Sequence, residues 1–104
     1  MPSLDALLKL IDGPRDNALL RHSIGLLHVE AGRPADAIPY FREAVAKDPR
    51  FSAGWKMLGK ALADAGDADG ARKAYEQGIA VADQRGDVQA AKEMKVFLRR
   101  LEPR

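Results

Sequence analysis

Two stretches of this chain have the spacing of ligand loops. Residues Gly54-Trp55-Lys56-Met57-Leu58-Gly59-Lys60-Ala61 nearly match the phosphate-binding pattern G-x4-G-K-[ST]. That chemistry needs flexible glycines exposing backbone N–H groups to phosphate, a hydroxyl for magnesium and a strand feeding the loop. Here Ala61 replaces the hydroxyl residue, Trp55 and Leu58 suit a core, and no strand pattern comes before them. The stretch from Ala65 to Glu76 imitates a calcium loop, with Asp67, Asp69, Gly70 and Glu76 at the right offsets. Ala65 takes the place of its first carboxylate, and Arg72 stands where an apolar residue pins such a loop. A helix start explains the same acids: Asp67 as a cap, and Asp69 in a first turn favoured by the helix dipole. His22 and His28 are six apart, on different faces of a helix, so they form no metal pair. Ser3, Ser23 and Ser52 have no histidine and acid arranged beside them, so no catalytic residues are assigned. No enzyme activity, cofactor or metal is expected.

The elements that carry these residues follow from composition and periodicity. At 104 residues the chain suits one domain, and with aromatics at 6% its core must rest on Ala, Leu, Val and Ile. There is no cysteine, which excludes a disulfide framework, a thiol nucleophile and a Cys-ligated zinc site. No apolar run reaches the ~20 residues needed to cross a bilayer, and the first residues lack the pattern of a secretory signal. A cytoplasmic location is the expectation. The formal charge of +2 is concentrated late. Arg85, Lys92, Lys95, Arg99, Arg100 and Arg104 outnumber Asp87, Glu93 and Glu102 there, and the rest of the chain is near neutral. Phe97 is the only aromatic among those cations, so the last segment reads as a solvated helix face rather than a nucleic-acid surface.

Residues recur at a spacing of 34. Gly25 pairs with Gly59, Gly32 with Gly66, Ala37 with Ala71, and Phe41 with Tyr75. Ile24 and Leu58, Val45 and Ile79, and Ala46 and Ala80 keep the same register. Each unit has the pattern of two helices. Leu20, Ile24, Leu27 and Ala31 step along one face until Gly32. Pro34 suits the first turn of a second helix, which carries Ala37, Ile38, Phe41, Ala44 and Val45 and is closed by Pro49. The second unit starts with Ser52 as the expected N-cap. It runs through Trp55, Leu58, Leu62 and Ala65, breaks at Gly66-Asp67, and resumes with Ala71, Ala74, Tyr75, Ile79 and Ala82. Pro39, about one turn into its helix, predicts a mild distortion rather than a stop.

The pattern resembles the tetratricopeptide repeat, whose signature is W-x2-L-G-x2-Y…A-x3-F…P. Trp55, Leu58, Gly59, Ala71 and Tyr75 meet it in the second unit, with Leu62 in place of Tyr and Asp83 in place of Pro. Ile24, Gly25, Ala37, Phe41 and Pro49 meet it in the first, where Arg21 replaces Trp and His28 replaces Tyr. The resemblance covers residues 18 to 85. It implies an all-α fold, an α-α superhelix of helical hairpins forming a solenoid. A short leading helix over 3–12 comes before repeat one (18–51) and repeat two (52–85), and a C-terminal capping helix over 87–102 follows them. In the capping helix, Lys92 and Glu93 stand where the family has Leu and Gly.

The resemblance also implies a concave face, lined by the first helix of each repeat, that holds a peptide or a partner's helix. In this chain those positions are Leu19, His22, Leu26 and Val29, then Ala53, Lys56, Lys60 and Ala63. The groove should be apolar along one wall and basic along the other. That suits another protein or peptide with apolar anchors beside acidic groups, and neither nucleic acid nor membrane. Relatives that clamp a terminal carboxylate use Asn with Lys or Arg there, and these positions offer no Asn. The reading is a non-catalytic adaptor module. One alternative is a self-associating homo-oligomer using the end faces of the solenoid. Another is that the leading or terminal helix itself fills the groove.

Overall fold

The computed structural model describes residues 2–102. Among them the order is α1 (Leu4–Leu8), α2 (Ala18–Glu30), α3 (Pro34–Lys47), α4 (Ser52–Asp64), α5 (Ala68–Arg85) and α6 (Val88–Leu101), with no strand. Helices α2 and α3 form one hairpin and α4 and α5 a second, while α6 packs on both α5 and α4. Each helix lies against its neighbours in sequence, in a body of 43 × 29 × 21 Å.

Three of the connecting turns share one construction. At Gly32, Gly66 and Gly86 the backbone turns left-handed, with φ of 77°, 91° and 72°. The residue after each glycine then donates its N–H five residues back: Arg33 to His28, Asp67 to Leu62 and Asp87 to Ala82, at 2.8 to 2.9 Å. This closure satisfies carbonyls that a helix end would leave open, and glycine takes the conformation without a Cβ penalty. Asp67 and Asp87 then cap the following helices by accepting from Gly70 N and Ala90 N.

The core is organised around glycine–side chain pairs across helix interfaces. A Cβ on Gly25 would lie 2.5 Å from the Phe41 ring, and one on Gly59 would collide with the Tyr75 ring. The pair that joins α5 to α6 has the same logic, with Gly78 beneath Met94 and Trp55. Phe41, Ile24 and Met94 are the largest fully enclosed side chains.

Several local expectations change. The leading helix is shorter than 3–12, because α1 gives way after Leu8 to tighter bonds from Leu10 to Leu7, Ile11 to Leu8 and Gly13 to Leu10. Asp12, at φ 65°, then turns the chain. Ser52 is not an N-cap. Phe51 holds that position, and Ser52, inside the first turn of α4 and 3% exposed, donates its hydroxyl to Asp87 Oδ2 at 2.9 Å. Pro39 is exposed and α3 runs unbroken past it, as one missing N–H near the start of a helix permits.

Arg21 replaces the repeat's tryptophan yet does comparable work. Trp55 donates its indole N–H to the Pro49 carbonyl at 2.8 Å, fastening α4 to the segment before it. Arg21 fastens α2 to its own preceding segment through two bonds to Asp16, Nε to Oδ1 at 2.9 Å and Nη2 to Oδ2 at 2.7 Å. That guanidinium holds the Asp16 carboxyl well below the usual carboxylate range, helped by the Asp12 backbone N–H.

Candidate interaction site

The residues expected in the groove do not form one continuous surface. On α2, Leu19 is 64% exposed and lies beside Lys47 and Asp48 at the start of the helix. Leu26 faces α1, lining an apolar cleft of about 180 Å³ with Pro2 and Leu7. Val29 packs against the core.

His22 departs most from the expectation. It is 7% exposed, with its ring 5.4 Å from that of Phe41 and 4.8 Å, edge-on, from that of Phe51. Among the described residues nothing partners its buried Nδ1. Burial pushes the imidazole below its ordinary value of 6.5, and the Lys56 charge adds to the effect. The neutral ring is therefore the form that folds, while the unfolded chain takes up a proton as the pH falls. Stability should be unaffected by this group above about pH 6.5 and should decline below it, with a slope of up to about 1.4 kcal/mol per pH unit. Urea unfolding between pH 7.5 and 5 checks this, and His22→Leu should remove most of that slope.

On α4 the expected residues converge with α6. Lys56 Nζ lies 3.4 Å from Glu93 Oε2, so this ammonium has a carboxylate partner within the fold. One turn later Lys60 places Nζ 5.3 Å from the centre of the Phe97 ring, and Arg100 brings Cζ within 5.7 Å of the same ring. Neither cation has an acidic partner within ion-pair distance among the described residues. Ala63, Leu101 and Tyr75 complete a cleft of about 240 Å³, with Asp64 on its rim. Ala53 is partly buried earlier on α4.

Sequence reasoning missed Glu93, Phe97 and Arg100. Their spacing of four and three puts them on one stripe of α6, and that stripe was the available signal. His28, which stands in the first unit where the repeat has Tyr, stacks on Tyr40 with ring centres 5.4 Å apart.

Neither loop-like motif is a loop. Gly54 to Ala61 lies wholly inside α4, so its N–H groups are directed into the helix rather than towards a phosphate. Ala68 onward is α5, which leaves no room for a twelve-residue calcium loop. Among the described residues no group of three or more His, Asp or Glu could hold a metal ion, and no helix is long and apolar enough to cross a membrane.

Known proteins carry the same architecture. The family model for the tetratricopeptide repeat matches residues 22–87. A TPR repeat-containing protein of Pseudomonas aeruginosa is 48% identical over 99 residues, which cover 95% of this chain and 94% of that protein. The solution structure of a Bordetella parapertussis protein, 43% identical, superposes with a TM-score of 0.81 over 97% of this chain and 89% of its own. A tetratricopeptide repeat domain protein of Salinibacter ruber shares the fold at 24% identity and a TM-score of 0.76, over 83% of this chain and 96% of its own. On the family match and the extent of these likenesses, the chain belongs to the tetratricopeptide repeat family.

Proposed function

We propose that this protein is a non-catalytic adaptor that receives an acidic segment with an apolar anchor where α4 meets α6. The family's fold generally mediates protein–protein interaction. The observation that carries the finer reading is the pair of cations, Lys60 and Arg100, set over one aromatic ring with no acidic partner within ion-pair distance among the described residues. A carboxylate arriving there would meet two positive charges, while an apolar side chain beside it would pack on Phe97, Ala63 and Leu101. Lys56 is committed to Glu93 and serves the groove by holding α6 against α4.

Reversing both free cations tests the idea. Lys60→Glu/Arg100→Glu should leave helicity unchanged and weaken binding of acidic–apolar peptides by roughly tenfold or more, mostly through slower association. Amide chemical-shift titration should show the wild-type perturbations centred on residues 60–64 and 97–101. Equal affinity in the reversed protein would overturn the reading. Lys56 is the poorer choice for reversal, since Lys56→Glu would set two carboxylates against each other across α4 and α6.

A further inference from the structure

A second cleft lies on the opposite helices of the two hairpins. Where α3 and α5 separate over α4 they leave an opening of about 530 Å³, larger than the cleft beside Phe97. Its floor is Leu58 and Leu62, with the partly buried Trp55 beside them, and its walls carry Arg42 from α3 and Lys73 from α5. The indole is fixed in place by its bond to the Pro49 carbonyl, so it is a rigid surface rather than a mobile one.

Charge in this cleft is unevenly committed. The two acids at one end keep their charge but are held by local partners, Asp69 by Arg72 at 2.8 Å and Asp67 by the Gly70 N–H at 2.8 Å. Arg42 and Lys73 are exposed and have no acidic partner within ion-pair distance among the described residues. We propose that this cleft is a second interaction surface, which takes an acidic segment of another protein by stacking an aromatic or aliphatic anchor on Trp55 between Arg42 and Lys73. A rigid aromatic at the centre with cations at the margin is the arrangement that concentrates binding energy in protein interfaces. The engaged Asp67 and Asp69 still repel a continuous polyanion, so the cleft selects discrete acids next to an anchor over nucleic acid. This surface is separate from the Phe97 cleft and does not rest on it.

Trp55 is the sole tryptophan of the chain and lines this cleft but not the one beside Phe97, so its emission distinguishes the two. The probe is a blocked hexapeptide of one phenylalanine flanked by two acidic residues in an otherwise neutral sequence, titrated at low and high salt with excitation selective for tryptophan. The expected result is a saturable shift in emission that weakens with salt. It should weaken roughly tenfold or more in Arg42→Glu/Lys73→Glu and persist in Lys60→Glu/Arg100→Glu, each variant matched to wild type in helicity. The proposal is overturned by absence of binding, by binding that leaves Trp55 emission unchanged, or by a shift that survives Arg42→Glu/Lys73→Glu. A shift lost only in the Lys60 and Arg100 variant also overturns it, by placing the peptide in the other cleft.

Discussion

Replacing Phe41 by alanine should cost about 3–5 kcal/mol, the range for emptying a fully enclosed aromatic site. Phe41 is 0% exposed and enters the space that Gly25 leaves on α2, with the His22 ring beside it. Removing the ring leaves a hollow between two helices whose backbones are already close, so little collapse can fill it. Against a total stability of about 5–15 kcal/mol for a domain of this kind, the change approaches global unfolding. Urea denaturation followed by circular dichroism measures it, and a loss under about 1 kcal/mol would refute the packing described here. The reciprocal change tests the same contact from the other side. Gly25→Ala forces a methyl into the ring and should cost about 1–3 kcal/mol by overpacking. In a Phe41→Leu background that cost should shrink, since the outer ring atoms Cε1 and Cζ that the methyl meets are gone. A double-mutant cycle should then show the double variant losing less stability than the sum of the two single losses.

Met94→Ala is the second large effect expected, at about 2–5 kcal/mol. Met94 is 0% exposed and fills the space over Gly78 beside Trp55, which makes it the plug between α6 and the second hairpin. Its removal separates two descriptions of α6. If α6 is an integral part of the core, amide exchange should accelerate across α4, α5 and α6 together and the unfolding transition should remain single. If α6 were merely appended, only residues 88–101 would lose protection and the midpoint of the main transition would hardly move. The polar ties favour the first outcome: Ser52 to Asp87, Lys56 to Glu93, and Arg85 to the Arg50 carbonyl all tie the second hairpin or α6 to what lies before them. The carboxyl of Asp87, bonded by the Ala90 N–H and the Ser52 hydroxyl, is held below its ordinary range, consistent with a charged anchor at that junction.

What could be read from the chain alone was the part with a period. Gly25 opposite Phe41 and Gly59 opposite Tyr75 repeat at one spacing because each unit solves the same packing problem, and a repeated solution leaves a repeated trace. Asp67 as a cap was legible for a similar reason, since its bond to Gly70 is local. Positions decided by distant residues were not. His22 and Lys56 hold equivalent places in their repeats, yet Phe51, arriving from the segment before α4, buries the histidine, while Glu93 of α6 neutralises the lysine. Ser52 has the composition of a cap, but Asp87, 35 residues later, takes its hydroxyl. The cluster of Lys60, Phe97 and Arg100 required knowing that α6 lies along α4, a fact outside any window of local sequence.

The pairing of every helix with its neighbours in the chain also bears on how the molecule forms. Since α2 meets α3, α3 meets α4, α4 meets α5 and α5 meets α6, few contacts must wait for remote segments to find each other. Loop-closure entropy is then spent in small steps, and chains with such local contact maps fold in microseconds to milliseconds. A chain emerging from the ribosome could complete its first hairpin before the last helix has been made, which shortens the time its apolar stripes spend exposed.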